Sequence, residues 1–142
     1  MTRLYGLLAL ALSAAAQAQM TPVGSWHSID DATGKPKAEI VIRDSAGVLS
    51  GKVERSLQAT GAEPLCNLCT DDRKGQPKIG MEIIRGAQRS GADAVWEGGT
   101  ILDPENGKVY KLRLTPQDGG KTLQVRGYIG PFFRTQVWQR VQ

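Results

Sequence analysis

The sequence predicts an all-β fold, an eight-stranded antiparallel up-and-down barrel, on three observations. Apolar residues recur at a period close to two through most of residues 19–142, and no segment carries a 3.6-residue stripe over three turns. Turn formers punctuate this alternation, with 17 glycines and 7 prolines in 142 residues. The connections are mostly of hairpin length, and a run of eight hairpin-linked strands loses its unpaired edges only by closing on itself.

A leader comes first. Arg3 precedes the apolar run Leu4 to Ala16, which ends in Ala16-Gln17-Ala18. A run of about thirteen residues is too short to span a bilayer, and small residues at 16 and 18 suit cleavage before Gln19. Residues 1–18 are therefore read as a signal peptide and 19–142 as one barrel domain. The expected address is the bacterial periplasm or the exterior, where thiols are oxidised.

The strands follow in order. Trp26 to Ile29 is the first, and Asp30-Asp31-Ala32-Thr33-Gly34 turns it into Ala38 to Arg43. Ser45-Ala46-Gly47 leads to Val48 to Val53. Residues Ser56 to Pro77, with both cysteines, form the only connection too long for a tight hairpin. Ile79 to Arg85 is the fourth strand, and Ala94 to Leu102 the fifth, bent by Gly98-Gly99. Asp103-Pro104-Glu105-Asn106-Gly107 is the clearest turn, because proline fixes φ and Asn-Gly accepts left-handed positions. Val109 to Thr115, Leu123 to Ile129 and Phe133 to Val141 complete the meander.

Composition excludes several functions. The formal charge is +4, yet the basic residues are scattered and form no stripe that could track phosphates, so nucleic acid is not an expected partner. No membrane span is expected, and no cofactor. With one histidine and two cysteines there is little from which to build a metal or nucleophilic centre. Asp30-Asp31 and Asp71-Asp72 lack the spacing of a calcium loop and read as solvated turns. The expectation is a protein that is not an enzyme.

The chain ends speak for closure. Gly24-Ser25-Trp26 opens the first strand and Trp138-Gln139-Arg140 ends the last, so these ends are expected to be neighbours, with the Trp26 ring face covered by an arginine of the last strand, Arg140 or, as the alternative, Arg134. In one order the chain also carries Gly24-Ser25-Trp26, Asp30 to Pro36, Cys66-Asn67-Leu68-Cys69, Trp96-Glu97-Gly98-Gly99, Leu102 to Tyr110, Arg126-Gly127-Tyr128-Ile129-Gly130 and Arg134 to Trp138. These segments resemble the bacterial DUF2147 family over nearly the whole of 19–142. The resemblance implies an exported, lipocalin-like (calycin) barrel and supplies no catalytic residues, because no activity is assigned to the family. One departure is Pro131-Phe132-Phe133, where relatives are expected to carry smaller residues.

Cys66-Asn67-Leu68-Cys69 is chemically the most suggestive segment, since C-x-x-C serves as a redox dithiol, half a zinc site or a small disulfide. A redox pair wants a helix N-terminus and cationic neighbours, whereas Pro64 precedes and Asp71-Asp72 follow. Zinc would need ligands beyond His27. A structural disulfide fits the loop best.

Arg126, Tyr128, Arg134 and Gln136 lie at alternate positions on the last two strands and are taken to converge on one face. If that face is the interior, two arginines would hold an anionic head group, with Trp96, Leu112 or Leu114 against an apolar tail; if it is the exterior, the same residues are ordinary solvated positions. The functional expectation is non-covalent binding of a small amphiphilic or apolar ligand in the envelope. Two other classes remain open, a structural or protein-interaction module with a solid barrel and a thiol-disulfide protein using Cys66 and Cys69.

Overall fold

Each strand of the computed structural model is bounded by residues suited to a reversal. The structure describes residues 2, 20–58 and 62–141; apart from residue 2, the expected signal peptide and its cleavage site lie outside these. The strands are β1 (Gly24–Ile29), β2 (Pro36–Ser45), β3 (Val48–Ser56), β4 (Glu82–Arg89), β5 (Trp96–Leu102), β6 (Val109–Gln117), β7 (Thr122–Ile129) and β8 (Phe132–Arg140). All neighbours are antiparallel, and the sheet closes in the order β1 to β8. Among the described residues no helix is long and apolar enough to cross a membrane.

Side-chain chemistry shapes the turns. The carboxylate of Asp30 accepts the backbone N–H groups of Ala32 and Thr33, at 2.8 and 3.0 Å, which holds its pKa below the usual carboxylate value. Ala46 and Gly47, both at positive φ, make the two-residue β2–β3 turn, and Asp44 accepts the N–H of Gly47. In β5 the ladder is interrupted between Glu97 and Thr100. Gly98 there is left-handed, and a Cβ on Gly99 would lie 2.2 Å from the Arg85 carbonyl oxygen. The paired glycines thus bend β5 by letting two backbones touch.

β4 begins three residues later than the sequence suggests. Backbone groups at its expected start are engaged elsewhere: the N–H of Lys78 donates to Pro64 O and that of Gly80 to Val53 O. Gly80, at φ 83°, makes the corner, so Ile79 belongs to the loop and is half exposed.

One end of the barrel, the base, carries the β2–β3, β4–β5 and β6–β7 turns and is packed solid. Trp26, Ile42, Leu49, Ala87, Leu114 and Leu123 are almost wholly buried there, and Trp96 joins them opposite Leu114. The indole N–H of Trp26 donates to Pro22 O at 2.8 Å, so the largest ring is buried without an orphaned donor. Arg140 lies over that ring, as expected from the chain ends.

Candidate functional site

The other end is open. The β1–β2, β3–β4, β5–β6 and β7–β8 connections surround the mouth of a cavity of about 460 Å³. Its floor is Trp138 and Ile40, and its walls include Ala38, Val53, Ile83 and Val125. Side-chain size explains why this half is hollow. Where the base has tryptophans facing inward, the mouth has Ala38 and Gly127. A Cβ on Gly127 would meet Tyr110 Cβ at 3.0 Å, so this glycine makes room for the Tyr110 ring at the cavity edge.

The expected converging set divides between the two faces. The tight Gly130-Pro131 turn pairs Ile129 with Phe132, which places Gly127 opposite Arg134 and Val125 opposite Gln136. These four line the cavity. Arg126 and Tyr128 pair with Thr135 and Phe133 on the outer wall, where the Arg126 Nε donates to Thr135 Oγ1 at 2.9 Å. Two strands joined by a short turn share faces only through opposed residues, and Arg126 is not opposed to Arg134 or Gln136. Trp96, Leu112 and Leu114 do point inward but belong to the filled part, and none of them lines the cavity.

Electrostatics further revises the expected anion site. Arg134 Nη2 donates to Asp31 Oδ2 at 2.6 Å, and its Nη1 lies 3.6 Å from Asp103 Oδ2. The Asp31 bond, above all, raises the arginine's pKa. Gln136 Nε2 also reaches Asp31 at 3.4 Å, and Lys37 pairs with Glu105 at 2.8 Å. Arg134 and Lys37 thus have carboxylates of their own, which a ligand carboxylate would have to displace, whereas Lys78 at the rim pairs with no carboxylate among the described residues. Uncharged groups complete the polar lining. The Tyr110 hydroxyl accepts from Asn106 Nδ2 at 3.2 Å, which leaves its proton for a further acceptor. Ser28 Oγ donates to Ala38 O over 3.4 Å, a weak bond that a ligand could replace.

The long loop forms one side of the mouth and is pinned from three directions. Cys66 and Cys69 are disulfide-bonded and buried. The Cys66 sulfur lies 3.5 Å from Pro104 O in the β5–β6 turn. Arg73, buried, donates to Asp71 and to Glu82 O, while Arg85 makes two 2.9 Å bonds to Asp72. Asp71-Asp72, read from sequence as a solvated turn, is an exposed turn whose carboxylates also anchor Arg73 and Arg85. With both sulfurs bonded and covered, the C-x-x-C holds a loop in place and presents no thiolate to solvent.

Sequence reasoning missed Lys37, Asp31, Asp103, Tyr110 and Ser28 as site residues. Parity could have found Ser28 and Tyr110, since Ser28 is two residues from Trp26 and Tyr110 two from Leu112. The carboxylates meet Arg134 across 103 and 31 residues of chain and carry no local signal.

Comparison with known proteins agrees with this architecture. No curated protein matches the chain. A solved structure from the human pathogen Helicobacter pylori, described as belonging to the lipocalin family, superposes with a TM-score of 0.70 at 15% identity. The match covers 84% of this chain and 82% of that one. At such identity the likeness shows the fold alone, a lipocalin-like barrel. The model of the family described as "Uncharacterized protein conserved in bacteria (DUF2147)" matches residues 24–140, the whole barrel, and the chain belongs to that family.

Proposed function

We propose that this barrel is an exported carrier that binds one small, largely apolar molecule without chemically changing it. The observation that carries this reading is the half-filled interior, a cavity of about 460 Å³ with aliphatic walls, an indole floor and polar groups gathered at the mouth. Sites for small ligands have this composition and run to about 300–1,000 Å³. A neutral amphiphile fits better than a fatty acid anion, because Arg134 and Lys37 are paired with carboxylates. Its hydroxyl or carbonyl would meet Tyr110, Gln136 or Ser28, and its apolar part would cover Trp138 and Val125.

Binding as the whole activity is supported by what faces the cavity. His27, the one histidine of the sequence, alternates with Trp26 and Ser28 and lies on the outer side of β1. Of the acids at the rim, Asp31, Asp103 and Glu105 serve as partners to Arg134 and Lys37, and Glu63 accepts the backbone N–H of Leu65. Export is supported by the leader pattern and by the disulfide, which persists in an oxidising compartment.

A titration panel of alkyl alcohols, monoacylglycerols and fatty acids, followed by tryptophan fluorescence, tests the reading. Neutral amphiphiles should bind at about micromolar strength, and Ala38→Phe, which fills the cavity, should weaken them about tenfold or more. If nothing in the panel binds, and protein isolated gently from its own periplasm carries no adduct in native mass spectrometry, the carrier reading falls.

A further inference from the structure

Phe132 and Phe133 stand immediately after the Gly130-Pro131 turn, 76% and 61% exposed, with Ile129 across the turn 44% exposed. The turn itself needs only glycine and proline, so the fold does not account for two phenyl rings in water. Behind this tip the outer wall is cationic. Register places Lys111 beside Tyr128 and Arg113 beside Arg126. The Arg126 guanidinium lies 4.8 Å from the Phe133 centroid, and that of Arg113 lies 5.9 Å from the Tyr128 centroid. The nearby acids are already engaged: Glu97 with Arg113, Asp31 and Asp103 with Arg134, Glu105 with Lys37. Among the described residues, no carboxylate pairs with Lys111 or Arg126.

An apolar tip backed by a band of aromatic rings and uncompensated cations has the layering of an anionic bilayer surface, with acyl chains beneath phosphates. An apolar groove on a protein would take the phenyl rings but would not call for the cations behind them. We propose that the β7–β8 hairpin docks this protein on an anionic lipid surface. Phe132, Phe133 and Ile129 enter the interface, while Arg126 and Lys111 lie at the level of the phosphates. The same two strands carry Gly127, Arg134 and Gln136 of the cavity, so docking brings the mouth to the membrane. This inference stands apart from the carrier reading, since an empty barrel would dock in the same way.

Flotation of the purified protein with vesicles tests it. Phosphatidylethanolamine–phosphatidylglycerol vesicles should carry the protein, pure phosphatidylcholine vesicles should not, and about 0.5 M salt should release it. Phe132→Ser with Phe133→Ser should lower partitioning about tenfold or more. Lys111→Gln with Arg126→Gln should lower it about fivefold per cation, and only on the anionic vesicles. No flotation, equal flotation on both lipids, or an unchanged Phe132/Phe133 variant overturns the proposal. So does a dimer in analytical ultracentrifugation that the serine variant converts to monomer, because the patch would then belong to a second copy. Retained binding of amphiphile in solution by the Phe132/Phe133 variant separates loss of docking from failure of the cavity.

Discussion

The guanidinium carbon of Arg140 lies 4.2 Å from the centroid of the Trp26 ring. The same side chain donates to three backbone carbonyls: Gly120 O at 2.6 Å, Val23 O at 2.9 Å and Thr21 O at 2.6 Å. One side chain of the last strand therefore covers the first strand's buried ring and fastens the segment before it.

Arg140→Ala should consequently cost more than a stacking contact alone, about 2–4 kcal/mol, since partly buried carbonyls lose their donor together with the cation–π contact. Arg140→Lys restores the charge without the planar fork and should recover less than half. Arg134→Ala, at a side chain half exposed like its main partner Asp31, should cost no more than about 1 kcal/mol. Urea denaturation of the three variants checks the order, and an Arg140→Ala loss below about 1 kcal/mol would show that the ends are held together by other contacts.

Cys66 and Cys69 should yield no free thiol under denaturing, non-reducing conditions. Changing both to serine should cost about 2 kcal/mol at most, because so short a closed loop restricts the unfolded chain little. The barrel should remain folded. Hydrogen exchange should rise over residues 62–80 and at Glu105 to Gly107 while the strand amides stay protected; exchange unchanged from wild type would mean that the loop is held without the bond.

Gly107→Ala should be among the most damaging single-methyl additions to a turn. Gly107 sits at φ 72°, and a Cβ there would lie 1.9 Å from the Leu68 carbonyl oxygen. Turn and loop must part for the methyl to fit, at about 2 kcal/mol or more. Gly34→Ala, also at positive φ but with open space around it, supplies the control and should cost about 1 kcal/mol.

Acid should loosen the long loop through Asp71. Hydrogen bonds from the Arg73 side chain and backbone N–H hold its pKa down to about 2, from an ordinary 3.8. A carboxylate whose folded pKa is depressed stabilises fully above its unfolded value, and the contribution is lost as pH falls through the folded value. Asp71→Asn should therefore be the less stable protein at about pH 7, and the difference should shrink between about pH 4 and pH 2. Asp72, lowered by Arg85, acts in the same direction. Thermal melts across that range decide, and a gap that stays constant from pH 7 to 2 would rule the mechanism out.

What could be read from the sequence was whatever has a local cause. Gly24-Ser25-Trp26, the Asx turn at Asp30, the Asp103 to Gly107 reversal and the bend at Gly98-Gly99 are each written within a few residues, and each lies where expected. The start of β4 was misplaced because Lys78 and Gly80 hydrogen-bond to residues far back in the chain, Pro64 and Val53. The expected converging set divides, Arg134 and Gln136 inward and Arg126 and Tyr128 outward, for a geometric reason. Alternation assigns residues to two faces within a strand, but relating β7 to β8 needs the turn, and only a two-residue turn at Gly130-Pro131 sets Arg126 against Thr135. Once Trp138 is known to be buried, Gln136 and Arg134 follow inward by parity, while the pairing of Arg134 with Asp31 and Asp103 has no local signature.

The seam between β1 and β8 gives the molecule the character of a ring. Two register pairs, Trp26 with Arg140 and His27 with Gln139, join its first and last strands, and the N–H of Val141 adds a bond to Ser25 O. These contacts span the greatest separation along the chain, so their loop-closure entropy is the largest in the barrel and the seam is the pairing a folding chain completes last. Residues 20 and 141 both lie at the base. Joining them through a short glycine linker and opening the chain between Ala46 and Gly47 would turn the most distant pairing into a hairpin and leave every strand its neighbours. The most distant pairing then becomes β2–β3, with eight register pairs against the seam's two, so such a permutant should fold more slowly than the natural order while keeping the same cavity.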